Sequence, residues 1–426
     1  MENFIELLYA RFLLSEGVSI DTRTLKPGNL FFGLRGPNFN GSQYAEKALE
    51  MGAAYAVVDD STFHKHSDNR YIFCEDSLKA LQELAVFHRS KFKRPVVALT
   101  GSNGKTTTKE LINAVLSKKY ITSATRGNLN NHIGVPLSLL DIYPQVEIAI
   151  IEMGANHVGE IATLSAMAQP THGLITNIGH AHTELFGGIE GVLRGKTELY
   201  DFLRKSHGKA FINQNDERLK HMTHRFESPI VYPESDVLIA ATKPTLTIKI
   251  GDEEVSTQMF GSYNFQNVAA AIAIGRHFEV PEKDIASAIR SYQPENMRSQ
   301  IIQKGGVRLI LDAYNANPDS MKAALENLTN ESGKKLAILG DMFEIEDVIE
   351  QHQAVGNYLK GFDEVDCVFV GKRMKHAYDV CPGSSWYESA AEASQALSSR
   401  NFKGTTVLLK ASRSMRLETL KDVILK

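Results

Sequence analysis

The segment Thr100-Gly-Ser-Asn-Gly-Lys-Thr-Thr107 constrains this chain more than any other. It lies between an apolar run, Val96-Val-Ala-Leu-Thr100, and a helical pattern. A buried strand that turns through glycines into a helix points successive backbone N–H groups at one spot. The helix N-terminus adds its own partial positive charge there. That is a cradle for phosphate, in which Lys105 supplies a point charge for the β and γ phosphates and Thr106 a hydroxyl for magnesium. The usual loop would carry glycine where Leu99 stands; here the first glycine is Gly101, and the pattern shortens to G-x-x-G-K-T. A glycine turn with a surface lysine is the plain alternative, and the strand-before, helix-after context speaks against it.

Apolar runs ending in polar residues recur after this loop: Ile148-Ala-Ile-Ile151 and Gly173-Leu-Ile-Thr-Asn-Ile178. With helical segments between them they predict a doubly wound parallel sheet, whose ligands bind at the carboxyl ends of the strands. At about 150 residues per domain, the 426 residues make room for three. Before the loop, a Gly/Pro/Asn-rich stretch at 26–41 and the short run Ala54–Val58 suggest a small α/β domain, 1–88. The central phosphate-loop domain is expected over 89–293. Residues 291–296, Ser-Tyr-Gln-Pro-Glu-Asn, look like a linker. The runs 308–311, 336–339, 367–370 and 407–409 then predict a Rossmann-like sheet in a third domain, 294–426. Leu7, Leu8, Phe12 and Leu13 fall at helical spacing near the start.

The net charge of −3 offers no general basic field for nucleic acid. No apolar run approaches the roughly 18 residues of a membrane span. Three cysteines, scattered and odd in number, fit a reducing cytoplasm better than a disulfide framework.

Several residues at strand ends invite chemistry. Glu152 follows the run 148–151, where a carboxylate beside a phosphate loop would suit magnesium; a solvated loop glutamate is an equal reading. His180 and His182 follow the next run, but a lone histidine is more often structural and nitrogen is an uncommon magnesium ligand. Lys196 reads as a solvated lysine at a helix start. Asn267, ahead of an alanine-rich helix pattern, is either a cap or an amide for an adenine edge. Arg298 falls just past the linker, where it could contact phosphate or base. Asp312-Ala-Tyr-Asn-Ala-Asn-Pro318 is a polar cluster at a strand's end, or a plain strand-to-helix turn.

Taken together, these pieces resemble the Mur ligases over nearly the whole length. The resemblance rests on Asp21-Thr-Arg-Thr-Leu-Lys-Pro-Gly28, residues 100–110, Gly127-Asn-Leu-Asn-Asn-His-Ile-Gly-Val-Pro136 and Ile151-Glu-Met-Gly-Ala-Asn-His157. It continues through Ala181-His-Thr-Glu184, Tyr314-Asn-Ala-Asn-Pro318 and Leu339-Gly-Asp-Met-Phe-Glu344. The Tyr314–Pro318 and Gly340–Met342 elements are those of the branch that adds D-alanyl-D-alanine.

The resemblance implies an ATP-dependent cytoplasmic ligase of peptidoglycan synthesis, a monomer that joins D-alanyl-D-alanine to UDP-N-acetylmuramoyl-tripeptide through an acyl phosphate. The 1–88 domain would hold the UDP-sugar, and 294–426 the amine substrate and part of the nucleotide. It further implies that Gly101, Ser102, Asn103, Gly104, Lys105, Thr106 and Thr107 hold ATP, with Asn267, Arg298 and Asp312 as its other contacts. Thr106, Glu152, His182 and Lys196 would serve two magnesium ions, Lys196 as a carbamate formed with CO2. Lys105, Glu152, His182 and Lys196 would be the catalytic set. Thr22, Arg23, Asn130, Asn131, Tyr314, Asn315 and Asn317 would touch substrates. Three places depart from the family pattern: Glu344-Ile-Glu for Glu-Leu-Gly, Lys410-Ala-Ser-Arg413 for Lys-Gly-Ser-Arg, and Asn38-Phe-Asn-Gly-Ser42 for a more acidic, histidine-bearing segment. The rivals are another ligase of the superfamily, such as the third-residue-adding enzyme or a folylpolyglutamate synthetase, and a nucleotide-binding regulator without catalysis.

Overall fold

A computed structural model describes residues 2–295 and 297–426. Asn296, at the end of the expected linker, lies outside the described residues, as does Met1. Three α/β layers follow one another along the chain. The first sheet is parallel, in the order Val18–Ser19, Leu30–Phe32, Tyr55–Val58, Tyr71–Phe73. Helix Glu2–Leu13 packs on helix Ser77–Lys91 beside it. Of the face expected near the start, Leu8 and Phe12 are buried, but Leu7 and Leu13 are exposed. Ile5 takes their place, because positions three and four apart share a helix face. Helix Ser77–Lys91 runs through position 88, and its Leu81 and Leu84 share one core with Val96 and Ala98 of the central sheet.

The central sheet is parallel, ordered Ile230–Tyr232, Lys209–Asn213, His172–Ile175, Val96–Thr100, Ile148–Glu152, Thr122–Ala124. Both faces are covered by apolar packing, which is why strands 96–100 and 148–152 are apolar without alternation. The connection from strand 148–152 to strand 172–175 passes over strand 96–100. The loop strand therefore stands at the crevice where such sheets bind ligands. An antiparallel sheet, Val237–Ala241, Thr247–Ile250 and Glu253–Ser256, is added on the side of helix Phe265–His277.

The third sheet runs Gln300–Lys304, Val307–Asp312, Thr405–Lys410, Lys334–Gly340, Val365–Val370, Ser385–Tyr387, with only the first strand antiparallel. Helices cover both faces, Met321 and Leu325 on one and Leu397 and Ile424 on the other. Asp312 and Lys410 end neighbouring strands as register partners. No helix among the described residues is long and apolar enough to cross a membrane.

Candidate active site

The chain leaves strand Val96–Thr100 through Gly101 (φ 145°) and Gly104 (φ 77°), then enters helix Lys105–Leu116. Both glycines are needed for space as well as for positive φ. A Cβ on Gly101 would stand 2.0 Å from Thr176 Oγ1, and one on Gly104 would stand 2.4 Å from Asn267 Oδ1. Thr176 and Asn177 shape the loop from the next strand end. The Ser102 N–H donates to Asn177 O and the Asn103 N–H to Asn177 Oδ1, each at 3.0 Å. Thr176 Oγ1 donates to Asn103 O at 2.6 Å. Both residues fall within the apolar run 173–178, yet the strand ends at Ile175 and their side chains hold the loop.

Lys105 Nζ donates to Gly101 O at 2.7 Å and to Ser102 O at 3.2 Å. Burial holds this ammonium below the usual lysine range; the Glu152 charge opposes that shift and Arg298 adds to it. Glu152 is the last residue of its strand rather than the first of a loop, and it is 1% exposed. Its Oε1 accepts from Thr106 Oγ1 at 3.1 Å and from Asn130 Nδ2 at 2.8 Å. Its Oε2 is buried with no hydrogen-bond donor, and Lys109 Nζ stands 3.5 Å away. A buried carboxylate with one oxygen that accepts no hydrogen bond, beside a threonine hydroxyl, is a donor set that suits magnesium. Among the described residues, no group of three or more His, Cys, Asp or Glu is close enough to share one ion. Such a site would therefore complete its shell from phosphate oxygens and water.

His182 (φ 58°) faces the third domain, its Nδ1 2.5 Å from Glu344 Oε2. Burial lowers its pKa, the Lys105 charge lowers it further, and Glu344 opposes both. Glu344 belongs to the Leu339–Glu344 motif, and no local signal pairs it with a histidine 162 positions away in another domain. Lys196 lies in the middle of helix Ile189–Lys205, not at a helix start, and is 1% exposed. The surface-lysine reading of its local sequence is therefore corrected. Its Nζ donates to Ala155 O at 3.0 Å, against the Phe186 ring at 5.2 Å. Burial first, and Lys105 next, push its pKa well below the lysine range.

Asn267 is inside helix Phe265–His277 rather than at its cap. Its Oδ1 accepts from Thr108 Oγ1 and its Nδ2 donates to Asn264 Oδ1, so the side chain stands fixed against the phosphate loop. From the third domain, the Arg298 guanidinium lies 3.5 Å from the Tyr314 ring centroid. Asp312 accepts from Lys410 Nζ at 2.6 Å and from the Ser299 N–H at 3.1 Å. Asn131 Oδ1 accepts from the Gly134 N–H at 2.9 Å, at the start of helix Gly134–Leu140.

A cleft of about 960 Å3 joins these groups. It is lined by Ser102 to Thr107, Asn130, Asn131, Glu152, His182, Asn267, Arg298, Asp312, Tyr314 and Asn315. Gly101 lies beneath the loop, and Lys196 lies behind the wall that Ala155 forms. Three expected substrate contacts lie elsewhere. Thr22 is buried in the first domain, and Arg23 is exposed, its guanidinium paired with Asp21 at 2.6 Å. Asn317 is buried: its Oδ1 caps helix Pro318–Thr329 and its Nδ2 donates to Asn103 Oδ1 at 2.7 Å.

Three family models match in succession: "Mur ligase family, catalytic domain" over residues 15–89, "Mur ligase middle domain" over 99–275, and "Mur ligase, glutamate ligase domain" over 297–413. The UDP-N-acetylmuramoyl-tripeptide–D-alanyl-D-alanine ligase of Bacillus subtilis is 36% identical, with 96% of this chain and 93% of the relative aligned. The ligase of the same name from Escherichia coli is 33% identical over 95% of this chain and 92% of its own. Among solved structures, MurF from Acinetobacter baumannii superposes with a TM-score of 0.85 at 30% identity, covering 96% of this chain and 93% of that one. MurF ligase from Thermotoga maritima in complex with ADP gives 0.82 at 26% identity, covering 97% of each. With each of its three layers matched and full-length relatives above 30% identity, the chain belongs to the Mur ligase family.

Proposed function

We propose that this protein is an ATP-dependent ligase that joins D-alanyl-D-alanine to UDP-N-acetylmuramoyl-tripeptide in peptidoglycan synthesis. The observation that carries the reading is the single cleft in which Lys105, Thr106 and Glu152 of the central domain face Arg298, Asp312 and Tyr314 of the third. The names of the full-length relatives supply the substrates.

In this reading the tripeptide carboxylate attacks the γ-phosphorus, ADP leaves, and an acyl phosphate forms. The amine of the dipeptide then attacks the acyl carbon, and phosphate leaves. Little covalent chemistry falls to the protein, whose part is positioning and charge neutralisation. Lys105 and the loop N–H groups hold the β and γ phosphates. Arg298 and Asp312 contact the rest of the nucleotide, and Asn267 fixes the loop from beneath. Asn130 and Asn131 bring the acyl substrate alongside Glu152. Thr106, Glu152 and His182 would hold magnesium, which when bound neutralises phosphate charge. Lys196, desolvated and so favoured as a neutral amine, has the form that takes up CO2; its carbamate would offer the anionic oxygen that magnesium prefers. We place the reaction in the cytoplasm, a compartment that keeps thiols such as Cys74, Cys367 and Cys381 reduced.

Competing amines test the assignment. D-alanyl-D-alanine, D-alanine, meso-diaminopimelate, L-lysine and L-glutamate are offered with suitable acyl substrates, and ADP formation is followed. The dipeptide should be the fastest acceptor. A single amino acid that outpaces it refutes the substrate assignment while leaving family membership intact.

A further inference from the structure

We infer that Asn317, Asp319 and Gly179 form a clasp that fastens the third domain to the phosphate loop, with Asn317 acting through Asn103 as a positioning residue for ligation. The inference rests on the ligase reading above.

Helix Pro318–Thr329 meets the central domain with its first turn. Asn317 Nδ2 donates to Asn103 Oδ1, within the phosphate loop, at 2.7 Å. Two residues on, Asp319 Oδ2 accepts the His180 N–H at 2.6 Å, and Asp319 Oδ1 lies 3.1 Å from His180 Nδ1. Between these contacts sits Gly179, where a Cβ would stand 2.4 Å from Asp319 Oδ2. A methyl group there would push the Asp319 carboxylate away from the His180 N–H that it accepts.

Gly179 is itself tied to the loop. Its N–H donates to Ser102 Oγ, and Ser102 Oγ donates to Gly179 O, both at 2.9 Å. Residues 102–103 and 179–180 therefore form one patch, and the helix lands on it at both contacts. Capping alone does not need an asparagine at 317, since a serine caps as well. The Nδ2 bond to Asn103 is the feature that only the amide supplies here. Helix Pro318–Thr329 cannot move off this patch without releasing Asn103, which also accepts Thr176 Oγ1 at its carbonyl. The device thus makes the position of the third domain depend on the conformation of the phosphate loop.

The consequence is chemical. An acyl phosphate that meets water is attacked at its acyl carbon; the bond from that carbon to the phosphoryl oxygen breaks, giving back carboxylate and inorganic phosphate. A fastened third domain keeps water out until the amine attacks.

The test uses the full chain with Mg-ATP, the UDP-tripeptide and D-alanyl-D-alanine, with phosphate and amide measured in the same reaction. Two variants loosen the clasp from opposite sides: Asn317→Ser, which keeps the helix cap, and Gly179→Ala, which wedges a methyl group into the seam. The parent should release one phosphate per amide. Each variant should release about two or more per amide, because hydrolysis now competes with the amine. A melting curve checks the fold, and should Gly179→Ala unfold, Asn317→Ser decides alone. Tight one-to-one stoichiometry in the folded variants, at whatever rate, overturns the clasp. A parent protein that forms no amide from this substrate pair refutes the ligase reading instead.

Discussion

Lys109 Nζ lies 3.5 Å from Glu152 Oε2, and the two side chains are 3% and 1% exposed. Lys109 follows Lys105 by one turn of the same helix, so one helix offers one ammonium to the phosphate loop and another to the carboxylate at the adjacent strand end. Lys109 Nζ also donates to Gly127 O at 2.9 Å, and Thr125 Oγ1 accepts the Glu152 N–H at 3.0 Å. The segment carrying Asn130 and Asn131 is thereby anchored to the same buried pair.

Removing one member of that pair leaves an uncompensated buried charge. Lys109→Met should lower folding stability by about 3–5 kcal/mol. Combining it with Glu152→Gln should recover much of the loss, because the stranded charge disappears. Denaturant unfolding of the parent, both single variants and the double variant measures this. A loss below about 1 kcal/mol in Lys109→Met would mean that the pair is solvated and contributes little.

Lys105→Ala should reduce phosphate release by about a hundredfold or more while the melting curve stays near that of the parent. The ammonium is held only by carbonyls of its own loop, Gly101 O and Ser102 O, so folding loses little with it. Near-normal turnover in a folded Lys105→Ala protein would remove this residue from the phosphate site.

For Lys196, burial and the Lys105 charge favour the neutral amine, the form that reacts with CO2. Lys196→Ala should lose most activity, and short carboxylic acids added to it should restore part. Lys196→Arg should remain inactive, since a guanidinium keeps the charge but takes up no CO2. Parent-like turnover in Lys196→Arg rules out the carbamate and leaves a simple cation.

At the opposite end of the central sheet, His172 Nε2 and His277 Nε2 are 3.0 Å apart. Burial, then the His277 charge, lowers the His172 pKa to about 4. Burial also lowers that of His277. A histidine whose folded pKa is depressed binds fewer protons folded than unfolded. Its stabilising contribution is therefore complete above the unfolded value of 6.5 and is lost as pH falls from there towards 4. Unfolding free energies between those limits should fall more steeply for the parent than for His172→Gln. Parallel profiles would show that the pair does not titrate within the window.

Local sequence was enough for much of this protein. The phosphate loop was legible because strand, glycines, lysine and helix are contiguous and each has a local cause. The buried runs at 96–100, 148–151 and 308–311 were legible because parallel strands covered on both faces carry no polar alternation. Strand 237–241 was not, since its unbroken apolar run, Val-Leu-Ile-Ala-Ala, sits on a sheet edge with all but Val237 exposed, and an apolar run alone does not say which neighbours it meets.

What residues 1–426 determined by themselves was therefore the fold class, the glycine loop between strand and helix, and the family, since contiguous motifs report what a short stretch of backbone must do. Tertiary structure decided the rest. It buried Lys196 within a helix, bonded Asn317 to Asn103, paired His182 with Glu344, and set Lys109 against Glu152. Each of these depends on residues far apart in the chain meeting in space. The charge, exposure and hydrogen bonding of a side chain there are set by its neighbours in space, which its neighbours in sequence do not specify.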